Sequence, residues 1–175
     1  MKTVVLGPPP MELAELIAHR RASGADLYDE VWEGEYHMAP APSGAHADLD
    51  DQLATLLRPL AKRVRLFSSG PVNLGGPTNY RVPDRVVHRE RPDGVWFSTA
   101  VVVVEIVSPD DETWEKLSFY AVCGVEEVLI VDPHHRSVAW LGLSEGSYHP
   151  IGRSLLGITA GELAAQIEWP PVAAA

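Results

Sequence analysis

Cysteine is almost missing from this chain. Cys123 stands alone, which excludes an internal disulfide and any cysteine-based metal site. No run approaches the roughly 18 apolar residues of a membrane span, and the opening MKTVVLGPPP is too short and too proline-rich for a signal peptide. The expectation is a soluble, cytoplasmic protein with no membrane partner. Lysine is scarce too, at Lys2, Lys62 and Lys116 only. Repeats, linkers and abrupt shifts of composition are lacking, so residues 1–175 are expected to form a single domain. What is present suits one: 46% apolar and 22% charged residues are ordinary for a globular fold with a real core.

Positive charge is the last shortage, 14 basic against 24 acidic residues for a net of −10. That balance argues against simple nucleic-acid binding, but its distribution is uneven. Residues 1–57 hold 3 basic and 10 acidic side chains, residues 58–91 hold 8 and 2, and residues 92–175 hold 3 and 12. A polyanion could be met in the central segment and repelled elsewhere. A solvated basic edge accounts for the same numbers.

Periodicity then supplies the elements. Met11, Leu13, Leu16 and Ile17 suggest a short amphipathic helix with Gly24 as its stop. LYDEVWEGEYHMAP reads as two short strands around Glu33-Gly34. After Pro40 and Pro42, Ser43 is a candidate cap for a helix whose Leu49, Leu53, Leu56, Leu57 and Leu60 form one apolar stripe. Pro59 is expected to end or kink it. If the helix survives the proline, Arg58, Lys62 and Arg65 share a face. Strands are expected at 64–67, 80–88 and 95–97, with Pro83 marking an edge or bulge. From Val101, four valines lead into Glu105 and Ile106-Val107, a run without alternation that reads as a strand buried on both faces. A helix over about 112–122 turns Leu117, Tyr120 and Val122 to the core. A strand at 128–131, a hairpin turning at Glu145-Gly146, and a last helix opened by the capping box Thr159/Glu162 complete the order. Helices interleaved with strands predict an α/β fold with a mixed sheet.

The candidate chemistry lies in the acids. Glu105 closes a buried strand, where an unpaired carboxylate is costly. Asp84 follows Pro83 in the preceding strand. Two carboxylates brought together repel unless a cation or a shared proton relieves them, and oxygen ligands of this kind suit Mg²⁺ or Mn²⁺. Such an ion activates water at a phosphoryl centre. Lys116 on the next helix could hold that water or the phosphate as a point charge, or simply pair with Glu112. Arg81, Arg85 and Arg89 flank Asp84, and with Arg58 and Lys62 they are the candidate contacts to a nucleic-acid backbone.

The ordered stretches YDEVWEGEYHMAPAPSGAH, YRVPD, VVVVEIVSP and EKLSFYAVCGVEEVLIVDP resemble the PD-(D/E)XK nuclease superfamily. More closely, they are similar to the Uma family of bacterial putative restriction endonucleases, over about residues 28–168. The resemblance implies a restriction-endonuclease-like αβββαβ core with an N-terminal helix and hairpin and a C-terminal hairpin and helix. It implies Asp84, Glu105 and the backbone carbonyl of Ile106 as ligands of Mg²⁺ (or Mn²⁺). The superfamily's usual lysine position, two residues after the acid, is Val107 here. The Uma family places its lysine on the following helix, where Lys116 matches, although the segment from Asp110 to Glu115 is shorter than that family commonly has and lacks its aspartate-arginine step. Glu35 and His46 match upstream family positions and are given supporting roles.

The expected activity is hydrolysis of phosphodiester bonds in nucleic acid, DNA above all, by a chain that could act as a homodimer. The alternative is a catalytically degenerate nuclease fold serving as a binding or assembly module. Other features read as bland. His134-His135 is a solvated turn, Ser68-Ser69-Gly70 lacks an acid-histidine pattern, and the five tryptophans are packing.

Overall fold

The computed structural model describes residues 3–5, 11–108 and 112–171. The proline run at 8–10, the start of the 110–115 turn and the tail from 172 onward lie outside them. In chain order the elements are β1 (Thr3–Val5), α1 (Met11–Ser23), β2 (Glu30–Trp32), β3 (Glu35–Met38), α2 (Gly44–Arg63), β4 (Phe67–Ser69), β5 (Asn73–Gly76), β6 (Asn79–Arg81), β7 (Arg85–His88), β8 (Trp96–Phe97), β9 (Val102–Ile106), α3 (Leu117–Val122), β10 (Glu127–Asp132), β11 (Ser137–Ser144), β12 (Ser147–Pro150) and α4 (Ala160–Ala164). Among the described residues no helix is long and apolar enough to cross a membrane.

The α/β class holds, with the strands divided between two mixed sheets of order β1-β3-β2-β6-β5-β8 and β12-β11-β10-β9-β7-β4. The expected single strand over 80–88 is therefore two. β6 pairs with β2 and β5 in the first sheet, and β7 pairs with β4 and β9 in the second. Pro83 explains the break, because it has no N–H to give a ladder. The chain leaves one sheet at Arg81 and enters the other at Arg85, so Val82-Pro83-Asp84 is the crossing.

β9 is the centre of the second sheet, and every residue in it is buried. Its neighbours are β7, antiparallel, and β10, parallel across the α3 connection. Alternation sends Val102, Val104 and Ile106 to one face, where Leu49, Leu53, Leu57 and Ala61 of α2 pack with Leu129, Val131 and Leu163. Each such leucine contributes about 1.5–3 kcal/mol by leaving water. Val103 points the other way, into a cluster with Val86, Ile130, Leu74 of β5 and Phe119 and Tyr120 of α3. Glu105 shares that face. The strand is thus apolar on both sides because two layers cover it.

α2 continues through Pro59 to Arg63; its buried stripe, anchored at Leu53, Leu57 and Ala61, outweighs the lost hydrogen bond. Arg58 and Lys62 consequently share an exposed face, while Arg65 lies beyond the helix at φ 61°. Ser43 caps the helix by accepting from the His46 amide, 3.2 Å away. α3 is shorter than the periodicity implies. It starts at Leu117, with Lys116 at its N-cap, and Phe119 rather than Val122 faces inward; Val122 is 88% exposed. In the first sheet, Val31, Tyr36, Tyr80 and Val82 pack beneath Ile17 of α1. The β2–β3 turn uses Glu33 at φ 48° and Gly34 at φ 92°, the two positive values of a type I′ hairpin.

Gly75 joins the two sheets' layers. At φ 118° a Cβ there would fall 2.7 Å from Cζ of Phe119 and 2.5 Å from the Asn79 carbonyl oxygen. Gly75→Ala should therefore lower stability by about 2 kcal/mol or more in urea unfolding. Gly161→Ala, in α4 with open space around it, should leave stability unchanged or raise it by up to about 1 kcal/mol. Equal effects at the two glycines would contradict this packing.

Candidate active site

Each carboxylate is placed by a different element. Asp84 sits on the crossing between the sheets, and its Oδ2 accepts the Ile106 amide at 2.7 Å. Its Oδ1 lies 2.8 Å from Nε2 of His46, which is carried by the first turn of α2. A carboxylate only accepts, so that nitrogen bears the proton. The other ring nitrogen of His46 is 3.2 Å from Ser108 Oγ. Glu105 is the residue before Ile106 in β9, so Asp84 is bonded to the backbone next to it.

Lys116 Nζ donates to both oxygens of Glu105, each at 3.2 Å, and to Glu30 Oε1 at 2.9 Å. The Tyr120 hydroxyl, one turn along α3, donates to Glu105 Oε1. Glu30 Oε1 also accepts the Val82 amide at 2.9 Å, and its Oε2 accepts Trp32 Nε1 at 2.7 Å. Glu30, Glu105, Lys116 and Tyr120 are all buried.

Burial sets the electrostatics. It pushes the Glu105 carboxyl up to about 8, against the pull of the Lys116 ammonium, with Asp84 and Glu30 adding to the rise. Burial pulls Lys116 down, but Glu105 and Glu30 together pull harder, so its pKa ends above the ordinary 10.5. Lys116 is therefore a cation at neutral pH. Burial, then Glu105, raises the Tyr120 phenol well above 10, which keeps it a hydrogen-bond donor.

Asp84, Glu105, Lys116 and His46 are thus brought into one cluster. Glu35 is not brought to it by any hydrogen bond; it stands on β3 opposite Trp32, and Glu30 is the hairpin acid that reaches the lysine. Glu30 is absent from the residues singled out by sequence, and Tyr120 figures there only as a core-facing residue. Alternation puts Glu30 on the face of its strand opposite Val31, but no local signal says that this face is buried. Among the described residues no group of three or more His, Cys, Asp and Glu side chains is arranged to hold a metal ion. The donors on offer are the carboxyl groups of Asp84 and Glu105; of Ile106 it is the amide that meets the cluster. The two carboxyl groups are an all-oxygen set, small enough to suit an ion that keeps several waters.

The arginines divide. Arg81 is 2% exposed, lies 4.1 Å from the Trp32 ring and 4.2 Å from the Phe119 ring, and donates to the Val31 carbonyl at 3.0 Å. It is held in the interior rather than presented to a phosphate. Burial lowers its pKa from the ordinary arginine value. Arg85 donates to both oxygens of Asp50 at 2.8 and 2.9 Å, tying α2 to β7. Arg89 is largely exposed and pairs with Glu126. Arg58 and Lys62 are exposed on α2.

A family model described as "Uma2: Putative restriction endonuclease" matches residues 17–167. A crystal structure described as that of a putative nuclease belonging to DUF820 from Anabaena variabilis ATCC 29413 is similar in fold. It superposes at a TM-score of 0.61, with 17% identity, over 79% of this chain and 90% of that one. No curated protein matches the chain.

The raised pKa of Glu105 has a signed consequence. Between pH 4.5, its ordinary value, and about 8 the folded state holds a proton that the unfolded chain has released. This contribution to stability is full below 4.5 and is lost as pH rises to 8. Urea unfolding should show Glu105→Gln gaining stability relative to wild type across that window, and a constant difference outside it. A difference that does not change between pH 4.5 and 8 would contradict the assignment.

Proposed function

The chain belongs to the Uma2 family, whose members are described as putative restriction endonucleases, and from that premise we propose that it is a metal-dependent nuclease cleaving phosphodiester bonds in DNA. The observation that carries this reading is the clustering of two acids, one on the crossing before β7 and one in the neighbouring β9, with a buried ammonium. Asp84 is bonded to the amide adjoining Glu105, and Lys116 lies 3.2 Å from that glutamate's oxygens. The cluster is held by donors on β9, α2 and α3, so its geometry is fixed before any substrate arrives.

In this reading Asp84, Glu105 and the Ile106 carbonyl hold Mg²⁺ or Mn²⁺. The bound ion supplies Lewis acidity at a phosphoryl oxygen and a lowered pKa for a coordinated water. The chain's own residues do the rest. His46 and the Ile106 amide orient Asp84, so its lone pairs face a defined direction. Tyr120 donates to Glu105 and fixes its rotamer. Lys116, charged at neutral pH, donates to a phosphate oxygen or orients the attacking water; it does not remove a proton. Water adds at phosphorus, the P–O ester bond opposite it breaks, and the proton the water gives up ends, through solvent, on the departing oxygen, which leaves as an alcohol.

Arg58 and Lys62 are the basic residues best exposed for a backbone contact. They lie 12 and 16 residues along α2 from His46, or about 18 and 24 Å at 1.5 Å per residue. A duplex crossing the site could reach them several base pairs away. Pairing of two chains to cut both strands belongs to the same reading.

A second reading, a degenerate fold used for binding or assembly, has one observation in its favour. Both oxygens of Glu105 already accept donors from the chain.

Wild-type protein with Mg²⁺ or Mn²⁺ should cleave at least one of single-stranded, double-stranded and structured DNA. Glu105→Ala should lose about a hundredfold or more. Equal activity of the two proteins on every substrate and metal defeats the nuclease reading. For the basic face, Arg58→Ala and Lys62→Ala should each weaken DNA binding without regard to sequence and reduce the salt dependence by about one phosphate contact. Salt slopes identical to wild type would remove α2 from the interface.

A further inference from the structure

We infer that Glu30 is a positioning residue for Lys116 and Asp84, fastening both sides of the site through one carboxylate. Its catalytic meaning rests on the nuclease reading above, while the positioning itself rests on geometry alone. Glu30 comes from β2 in the first sheet, whereas Glu105 comes from β9 in the second. The Lys116 ammonium bridges them, 2.9 Å from Glu30 Oε1 and 3.2 Å from each Glu105 oxygen.

The same Oε1 accepts the Val82 amide at 2.9 Å. Val82 is the first residue of the crossing that carries Asp84 two positions later. One oxygen therefore anchors the lysine tip and the backbone that presents the aspartate. Glu30 is itself immobilised. Its Oε2 accepts Trp32 Nε1 at 2.7 Å, and the indole is gripped between His37, stacked at 4.6 Å and 14°, and the Arg81 guanidinium at 4.1 Å. In the sheet, β3 with His37 and β6 with Arg81 flank β2 on opposite sides.

The need for such an anchor follows from the lysine side chain. It is a flexible four-carbon stem ending in a point charge, with no planar fork to orient it. Glu105 alone is an unreliable partner, because a carboxylate that serves a metal ion or substrate has less to offer the ammonium. Glu30 contacts neither reacting atoms nor, in this reading, the ion. It keeps Lys116 at the site while Glu105 is engaged elsewhere.

Lysine scarcity makes the inference testable. Acylation of amines at one fixed pH, read by peptide mass spectrometry, reports Lys116 against the exposed Lys62 in the same molecule. In wild type Lys116 should react far more slowly than Lys62. Glu30→Gln should raise the Lys116 rate about tenfold relative to Lys62 and lower kcat about tenfold or more, with KM within about threefold. Mn²⁺ affinity by calorimetry should stay within about threefold of wild type. Glu30→Asp, which keeps the charge, should recover part of both losses, and it carries the test if Glu30→Gln does not fold. Unchanged Lys116 labelling in a folded Glu30→Gln protein would overturn the inference, as would loss of Mn²⁺ binding, which would make Glu30 a ligand. If labelling shifts as expected in a protein that cleaves no DNA, the positioning role stands and the nuclease reading falls.

Discussion

The Lys116 ammonium, buried between the side chains of Glu30 and Glu105 from two different sheets, is the interaction on which the rest depends. A buried charge left unpaired costs several kcal/mol. Any arrangement that brings Lys116 inside must therefore bring Glu30 and Glu105 to it, and with them β2 and β9. The pair of acids in turn keeps the amine charged. Registration of the first sheet against the second is thus an electrostatic matter as well as a packing one. Phe119 beneath Gly75, and Arg81 between Trp32 and Phe119, supply the apolar half of the same junction.

The local chemistry follows from where the chain is prevented from continuing. Pro83 ends one ladder and lets the chain pass into the other sheet, which leaves Asp84 beside the end of β9. Ser43 starts α2 and sets His46 within reach of Asp84. Asp50, one turn further on, takes Arg85. The helix that fills one face of the second sheet with leucines therefore also braces the aspartate. α3 does the equivalent on the other face, with Lys116 at its start and Tyr120 one turn later, both turned to Glu105.

The sequence made legible what has a local signature. The valine run, the Pro-Asp step, both hairpin turns and the Thr159/Glu162 box depend on residues close together in the chain, and the structure has each of them. The Asp84, Glu105, Lys116 order was readable because a carboxylate at a buried strand end calls for a partner nearby. Glu30 was not readable in the same way. Asp29, Glu30, Glu33 and Glu35 crowd one hairpin, and only the pairing of β2 with β6 decides which of them meets Lys116. Asp29 shows the contrast: it is as buried as Glu30 but is spent on Arg20, Tyr36 and the Ala39 amide. Arg81 misled for a related reason. It looks like one of a row of basic residues flanking Asp84, yet it ends β6, an inner strand of the first sheet, where aromatic rings cover it. The division into two sheets was hidden because residues 80–88 read as one strand, and Pro83 counts as an edge marker as readily as a break.

The central claim is that Asp84 and Glu105 together form a site for a divalent ion. Calorimetric titration of Mn²⁺ into the intact protein tests it most directly. The account predicts saturable binding to the wild type at millimolar metal or below, and loss of that binding in Asp84→Ala while the protein remains folded. No binding by the wild type at millimolar Mn²⁺, or identical binding by Asp84→Ala, would contradict it.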